Sequence, residues 1–540
     1  MKLRSLVLLL ALLCCGCGGL RGSLFAPLPP DVARYSTVAS PEGVVGGEAA
    51  QDAAALLVAY LRERGDEPKP DAALAGAAAW LLQGAYAGEN RFDARAIEAA
   101  AQRFGYAGLI LGATLSSLNN DSVVNIEQIV AQVPNNRRVT RYGVRGVPGR
   151  NVAIVIGTVE VDLAAFPRAV ELGGEVGLSG AVSERYERAS VFVRDPSGQV
   201  RELPQPGRQV QATLRLETQG VYQVEVMGYG QSGPVVLMNV PIRVGQAQSA
   251  AALTGRKLDP NLTTEQAEAR LLTLLNAARR EHQLAALAAD DELGAIALAH
   301  SRDMAKHHFF GHVSPTTGTL NDRVSRAGAR VSKGAECVAL EFTPEGAHLG
   351  LMQSPAHRAG MLDADFTHVG IGVTLRQTET GERMLLATLV LARRPPPEAA
   401  RKSAAEVFQA IQRLREASKV SAARSDPSLS TLATAGIRAL KEGSDDDRER
   451  TFATAQLELA KRVATSRRGA AVCHVVFQMI ELRQLTEWAT LVHPDLASIG
   501  VAVHELSDHH GPSLAVALVL ESKPGQALPC HSVKPASSAH

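Results

Sequence analysis

Hydrophobic positions along 264–304 recur at helical spacing, through Leu271, Leu272, Leu275 and Ala278. A second helix is predicted to start at the Asp290 cap and to carry Leu293, Ile296, Leu298 and Ala299 on one face. Further on, apolar runs at Val369-Gly370-Ile371-Gly372-Val373 and from Met384 to Leu391 predict two strands, with a turn at 377–382 between them. Between 165 and 246 the texture is different. Short alternating segments such as Ser190-Val191-Phe192-Val193, Ala212 to Leu216 and Tyr222 to Val226 are punctuated by Gly and Pro, as in a small Ig-like β-sandwich.

The helix-then-strands pattern recurs. Arg279, Asp290, Leu293 and Cys337 have counterparts at Arg415, Asp426, Leu429 and Cys473, all at a spacing of 136 residues. The closing strands return as Ile499 to Val503 and Ser513 to Leu520, so 400–525 reads as a second copy of 260–395, joined through Arg394-Pro395-Pro396-Pro397. A fainter echo lies in 45–160: a helix over Leu56 to Arg62, an Asp71-x-x-Leu74 start and a final strand over Asn151 to Gly157. A divergent third copy and a coincidence of alanine-rich helices both fit that stretch. The expected architecture is an α+β multidomain chain with units at 45–160, 165–246, 260–395 and 400–525.

The amino terminus adds a compartment. Lys2 and Arg4 precede an eight-residue apolar run, Leu6 to Leu13, too short to span a bilayer and suited to a signal-peptide core. Cys14-Cys15-Gly16-Cys17 follows, resembling a lipoprotein signal over 1–17 with Cys17 lipidated; an ordinary secretory signal is the alternative. The expectation is an exported envelope protein, attached to the outer membrane or cell surface by lipid alone. Lys+Arg 56 against Asp+Glu 55 leaves a net charge of +1, which gives no field to attract nucleic acid. The cysteines beyond the signal are Cys337, Cys473 and Cys530, an odd number for an oxidising compartment. Cys473–Cys530 is the preferred disulfide, leaving Cys337 as a small buried residue.

Candidate chemistry concentrates in 260–395. His312 stands in Phe309-Phe310-Gly311-His312-Val313-Ser314-Pro315, Glu336 in Lys333-Gly334-Ala335-Glu336-Cys337, and His357 in Ser354-Pro355-Ala356-His357-Arg358. With Asp322-Arg323 and Phe366 to Gly372, these segments resemble the bacterial form of the CAP superfamily: cysteine-rich secretory proteins, antigen 5 and pathogenesis-related proteins. The resemblance covers about 135 residues and follows the order of several motifs. It implies an α-β-α sandwich with a cleft lined by His312, Glu336 and His357. The family's second glutamate would fall near Ser354, and its usual Gly-Glu-Asn is Ala335-Glu336-Cys337 here.

Two imidazoles and a carboxylate are a ligand set for zinc or another divalent metal, with a metal-bound water able to hydrolyse a substrate. The competing reading is that the histidines hydrogen-bond Glu336 and hold the cleft loops. Cys337 beside Glu336 permits a Cys-His nucleophile. Yet Cys473 persists in the second copy where His312, Glu336 and His357 fall on Arg448, Val472 and Glu487, which favours a structural thiol. The expected function is therefore a binding or interaction module whose His-Glu-His cleft takes a lipid, peptide or glycan. The alternative is a metal-dependent, peptidase-like hydrolase using the same cleft; no catalytic residue is assigned.

Overall fold

A computed structural model describes residues 32–89, 91, 94–117, 126–147, 151–245, 261–377, 383–394, 402–441, 448–465, 472–479, 481–508 and 511–529. The signal segment with Cys17, the prolines at 395–397 and Cys530 lie outside the described residues.

The first unit runs α1 (Glu48–Glu63), β1 (Lys69–Pro70), α2 (Ala72–Ala87), α3 (Ala94–Arg103), β2 (Leu109–Ser117), α4 (Ile126–Ala131), β3 (Arg141–Val147) and β4 (Asn151–Thr158). The next is all strands: β5 (Val161–Leu163), β6 (Glu175–Val182), β7 (Arg188–Arg194), β8 (Val200–Pro204), β9 (Gln209–Arg215), β10 (Gly220–Gly230) and β11 (Gly233–Val244). The third comprises α5 (Thr264–Glu281), β12 (Ala288–Ala289), α6 (Asp291–His307), α7 (Leu320–Ala327), β13 (Lys333–Glu341), α8 (Pro344–Gln353), α9 (Pro355–Met361), β14 (His368–Gln377) and β15 (Arg383–Arg393). The last holds α10 (Ala404–Ala417), β16 (Arg424–Ser425), α11 (Pro427–Lys441), α12 (Arg448–Thr465), β17 (Val472–Met479), two 3-10 turns (Leu482–Glu487 and Ala489–Val492), β18 (Leu496–Asp508) and β19 (Gly511–Ser522).

Three sheets share one order and one set of directions. They run β1-β3-β4-β2, β12-β14-β15-β13 and β16-β18-β19-β17, with Val44–Val45 also pairing β3. In each, the short first strand is parallel to its neighbour and the other pairs are antiparallel. Alternation along the central strands feeds two cores. In β15, Leu389 and Leu391 face Leu271 and Leu275 of α5, while Val390 and Ala392 face Leu293 and Ile296 of α6. Each unit is thus a helix–sheet–helix sandwich.

The helix starts are built alike. Asp71, Asp290 and Asp426 accept from the backbone N–H of Leu74, Leu293 and Leu429 at 3.2, 2.9 and 3.1 Å, satisfying orphan donors of the first turn. A strand glycine lets each of those helices lie close. A Cβ on Gly143, Gly370 or Gly500 would sit 2.1, 2.0 or 2.1 Å from helix backbone atoms of Ala75, Leu293 or Leu429. Arg279 and Arg415 are both 0% exposed. Arg279 donates to the carbonyls of Ala285, Met361 and Asp363, and Arg415 to those of Ser421, Leu491 and His493. A guanidinium buried without a carboxylate is tolerable because its fork of donors is filled by carbonyls.

In the strand unit, sheets β9-β6-β5 and β8-β7-β10-β11 face each other across one core. Val176, Leu178, Val210 and Leu214 meet Val191, Val193, Val224, Val226, Val240 and Ile242 there. The other face of β7 and β10 is covered too: Phe192 and Met227 pack on Ala356 of α9. Among the described residues, no helix is long and apolar enough to cross a membrane.

Candidate functional site

Glu336 sits on β13, 2% exposed, and all its bonding capacity is directed inward. His312 Nδ1 lies 3.0 Å from Oε1, and the Arg323 guanidinium from α7 binds Oε2. Since an ionised carboxylate only accepts, His312 must carry its hydrogen on Nδ1. His300, fully buried on α6, adds Nε2 at 3.8 Å from Oε1 and a bond to the Gly311 carbonyl at 3.0 Å. Burial alone would raise the Glu336 carboxyl; the His312 hydrogen bond and the charges of His300 and Arg323 outweigh it and hold it below the usual range. Burial, foremost, lowers His300.

His357, on α9, faces His312 with ring centroids 6.0 Å apart. Its Nδ1 is 2.8 Å from the Ser354 hydroxyl. Burial, then the neighbouring His312, pushes the imidazole down to about 3, so it stays neutral. Cys337 is a free thiol, 1% exposed, pushed up to about 12 by burial and by Glu336, so it offers no thiolate. Cys473 is in a disulfide, and its expected partner, Cys530, falls outside the described residues.

The structure brings His312, Glu336 and His357 into one neighbourhood but not onto one point. Glu336 is divided between Arg323 and His312, and His357 turns its Nδ1 to Ser354. Among the described residues, no three His, Cys, Asp or Glu side chains are placed to share a metal ion. As placed, Glu336 binds Arg323 and His312 rather than meeting both imidazoles at a common point. The order of ligand-type residues gave no warning that Arg323 occupies one carboxylate oxygen.

Two other units pack against the same neighbourhood. The Ser354 hydroxyl donates to Oε2 of Glu225 at 2.5 Å, and the Ala356 N–H donates to Oε1 at 3.0 Å. Glu225 belongs to β10 of the strand unit and is 0% exposed. Burial raises its carboxyl to about 7, against the lowering effect of the Ser354 and Ala356 bonds. The turn between β10 and β11 lies on the His312 loop: a Cβ on Gly233 would be 3.0 Å from Val313 and 3.6 Å from His312. From the first unit, Asn136 grips the Phe310 backbone at both ends, at 2.8 and 3.1 Å. Arg358 donates to the Gly198 carbonyl and pairs with His282. Sequence reasoning missed His300, Ser354 as a bonded partner, and Glu225. Strand alternation does place Glu225 opposite Val224 and Val226, the only available signal.

Residues 272–384 match the model of the cysteine-rich secretory protein family, CAP. Two relatives from Bacillus subtilis (strain 168) match part of the chain. The uncharacterized membrane protein YlbC is 35% identical over 107 residues, covering 20% of this chain and 31% of the relative. The uncharacterized protein YkwD is 35% identical over 106 residues, covering 19% and 41%. The chain thus spans well under half the length of either. Among solved structures, an extracellular protein containing an SCP domain from Bacillus anthracis str. Ames aligns at 22% identity over 34% of this chain and 63% of that one, with a TM-score of 0.23.

Proposed function

This chain is a bacterial CAP-domain protein, and from that premise we propose that it is an exported envelope protein whose His312–Glu336–His357 cleft is a binding site. The ligand class is a lipid, peptide or glycan of the envelope. Lipid on Cys17 is the proposed anchor, on the strength of Lys2, Arg4 and the Leu6–Leu13 run. Units 45–160 and 400–525 are read as degenerate copies of the CAP unit, which the common sheet order, aspartate caps and close-packed glycines support. Residues 165–246 are read as an Ig-like sandwich on the opposed faces around Val191 and Val224.

One observation carries the binding reading over hydrolysis. The Nδ1 side of each imidazole is held in place, His312 by Glu336 and His357 by Ser354, while Arg323 binds the other Glu336 oxygen. Such a set offers fixed donors and acceptors for recognition, with Cys337 held as a thiol and His357 neutral. The test is co-sedimentation of the full chain with isolated peptidoglycan, with phosphatidylglycerol vesicles and, by fluorescence, with a peptide library. One probe is expected to bind, and to be lost with His312→Ala/His357→Ala. Turnover of the peptide library, abolished by the same pair of changes, would replace binding with hydrolysis as the function.

A further inference from the structure

The Ser354 hydroxyl has one hydrogen and two neighbours that could take it. Glu225 lies 2.5 Å away on one side and His357 Nδ1 2.8 Å away on the other. An ionised carboxylate can only accept, so when Glu225 takes the serine hydrogen, the serine oxygen is left to accept from His357. We propose that Glu225 is a positioning residue of the cleft. Acting through Ser354, it obliges His357 to carry its hydrogen on Nδ1 and leaves Nε2 as a bare acceptor. This rests on the reading of the cleft as the binding site. It makes the strand unit part of that site, because a residue 129 positions upstream selects what the imidazole offers a ligand.

The surroundings leave Glu225 free to act this way. Its two bonds come from neutral donors, the Ser354 hydroxyl and the Ala356 N–H. On its own sheet, Tyr229 lies under the Arg188 guanidinium at 3.5 Å, and Glu202 accepts from Ser190 at 2.6 Å. From α9, Arg358 is turned away toward Gly198 and His282. No cation neutralises Glu225 among these neighbours, so its protonation state and its hydrogen-bond demand fall on Ser354. Phe192, Met227 and Ala356 pack around the contact and exclude water that could otherwise supply a competing hydrogen.

Glu225→Gln inverts the logic without changing the shape. The glutamine oxygen accepts from the Ala356 N–H, its NH2 donates to the serine oxygen, and the serine hydrogen passes to His357 Nδ1. His357 then carries hydrogen on Nε2. The experiment is nitrogen NMR of the full chain labelled on histidine, at pH 8.5, with the His357 signals assigned by their loss in His357→Asn. Wild type is expected as the Nδ1–H form, and Glu225→Gln as the Nε2–H form with an unchanged melting curve. In a Ser354→Ala background, the same change at 225 should no longer move the signals. Wild type already in the Nε2–H form, no response to Glu225→Gln, or a response that survives Ser354→Ala would each overturn the proposal. This readout needs no ligand, so its failure leaves the co-sedimentation test standing, and a failure of that test leaves the tautomer coupling standing.

Discussion

The CAP unit and the unit that follows it have one skeleton and two different interiors. Both place a fully buried arginine at the end of the first helix, an aspartate cap on the second and a glycine where that helix crosses the sheet. They part where the cleft would be. The CAP unit has α8 and α9, with Ser354 and His357 turned to polar partners. The last unit has two 3-10 turns there, and Trp488 buried against Phe477 with ring centroids 4.1 Å apart. His474, paired with Val519, stands on its strand where Glu336, paired with Val390, stands in the other. The framework is therefore independent of the cleft chemistry. It holds equally around a hydrogen-bonded polar set and around aromatic packing.

That contrast is open to attack from several sides. Trp488→Ala should remove about 3–5 kcal/mol from the last unit and leave the CAP unit untouched, as hydrogen exchange resolved by unit would show. An equal loss in the CAP unit would mean the two do not unfold separately. Arg279→Met strips three carbonyls of their donor and should cost its unit about 3 kcal/mol, with Arg415→Met doing the same to the other. If only one of the pair mattered, the shared skeleton would be a likeness of shape without a likeness of forces. Gly370→Ala and Gly500→Ala should each cost about 1–3 kcal/mol, because the new methyl meets helix backbone that has no rotamer to move.

The contact between β10 and α9 sharpens the comparison through pH. The Glu225 carboxyl is raised from 4.5 to about 7 by burial, so the docked state favours its neutral form. The contact is then strongest below pH 4.5 and loosens as pH rises through 7, by on the order of 2 kcal/mol. Hydrogen exchange in α9, corrected for its intrinsic pH dependence, should show this loosening, and Glu225→Gln should flatten it. The same trend in the variant would assign the effect to another group.

How much of this was written in the sequence depends on range. Asp290 and Asp426 were legible as caps because a cap acts within three residues, and the strands at 369–373 and 499–503 because alternation is local. The grouping of His312, Glu336 and His357 was legible through the family resemblance alone. Their pairing was not. Whether Glu336 meets a metal or Arg323 depends on how α7 docks against β13, which no spacing encodes. Glu225 reads as solvent-facing beside Gln223 on an alternating strand; only the packing of α9 onto that face turns it into a buried group. His300 reads as one polar residue on a helix and becomes a second imidazole near Glu336, beside His312, through the fold of the Gly311 loop.

The most direct test of the central claim, that the cleft is closed on itself by hydrogen bonds and not built around an ion, is zinc titration calorimetry. The full chain would be compared with its His312→Ala/His357→Ala variant. The same weak or absent heat in both proteins is the predicted result. Micromolar or tighter zinc binding in the wild type, lost in the variant, would contradict it and return the cleft to metal chemistry.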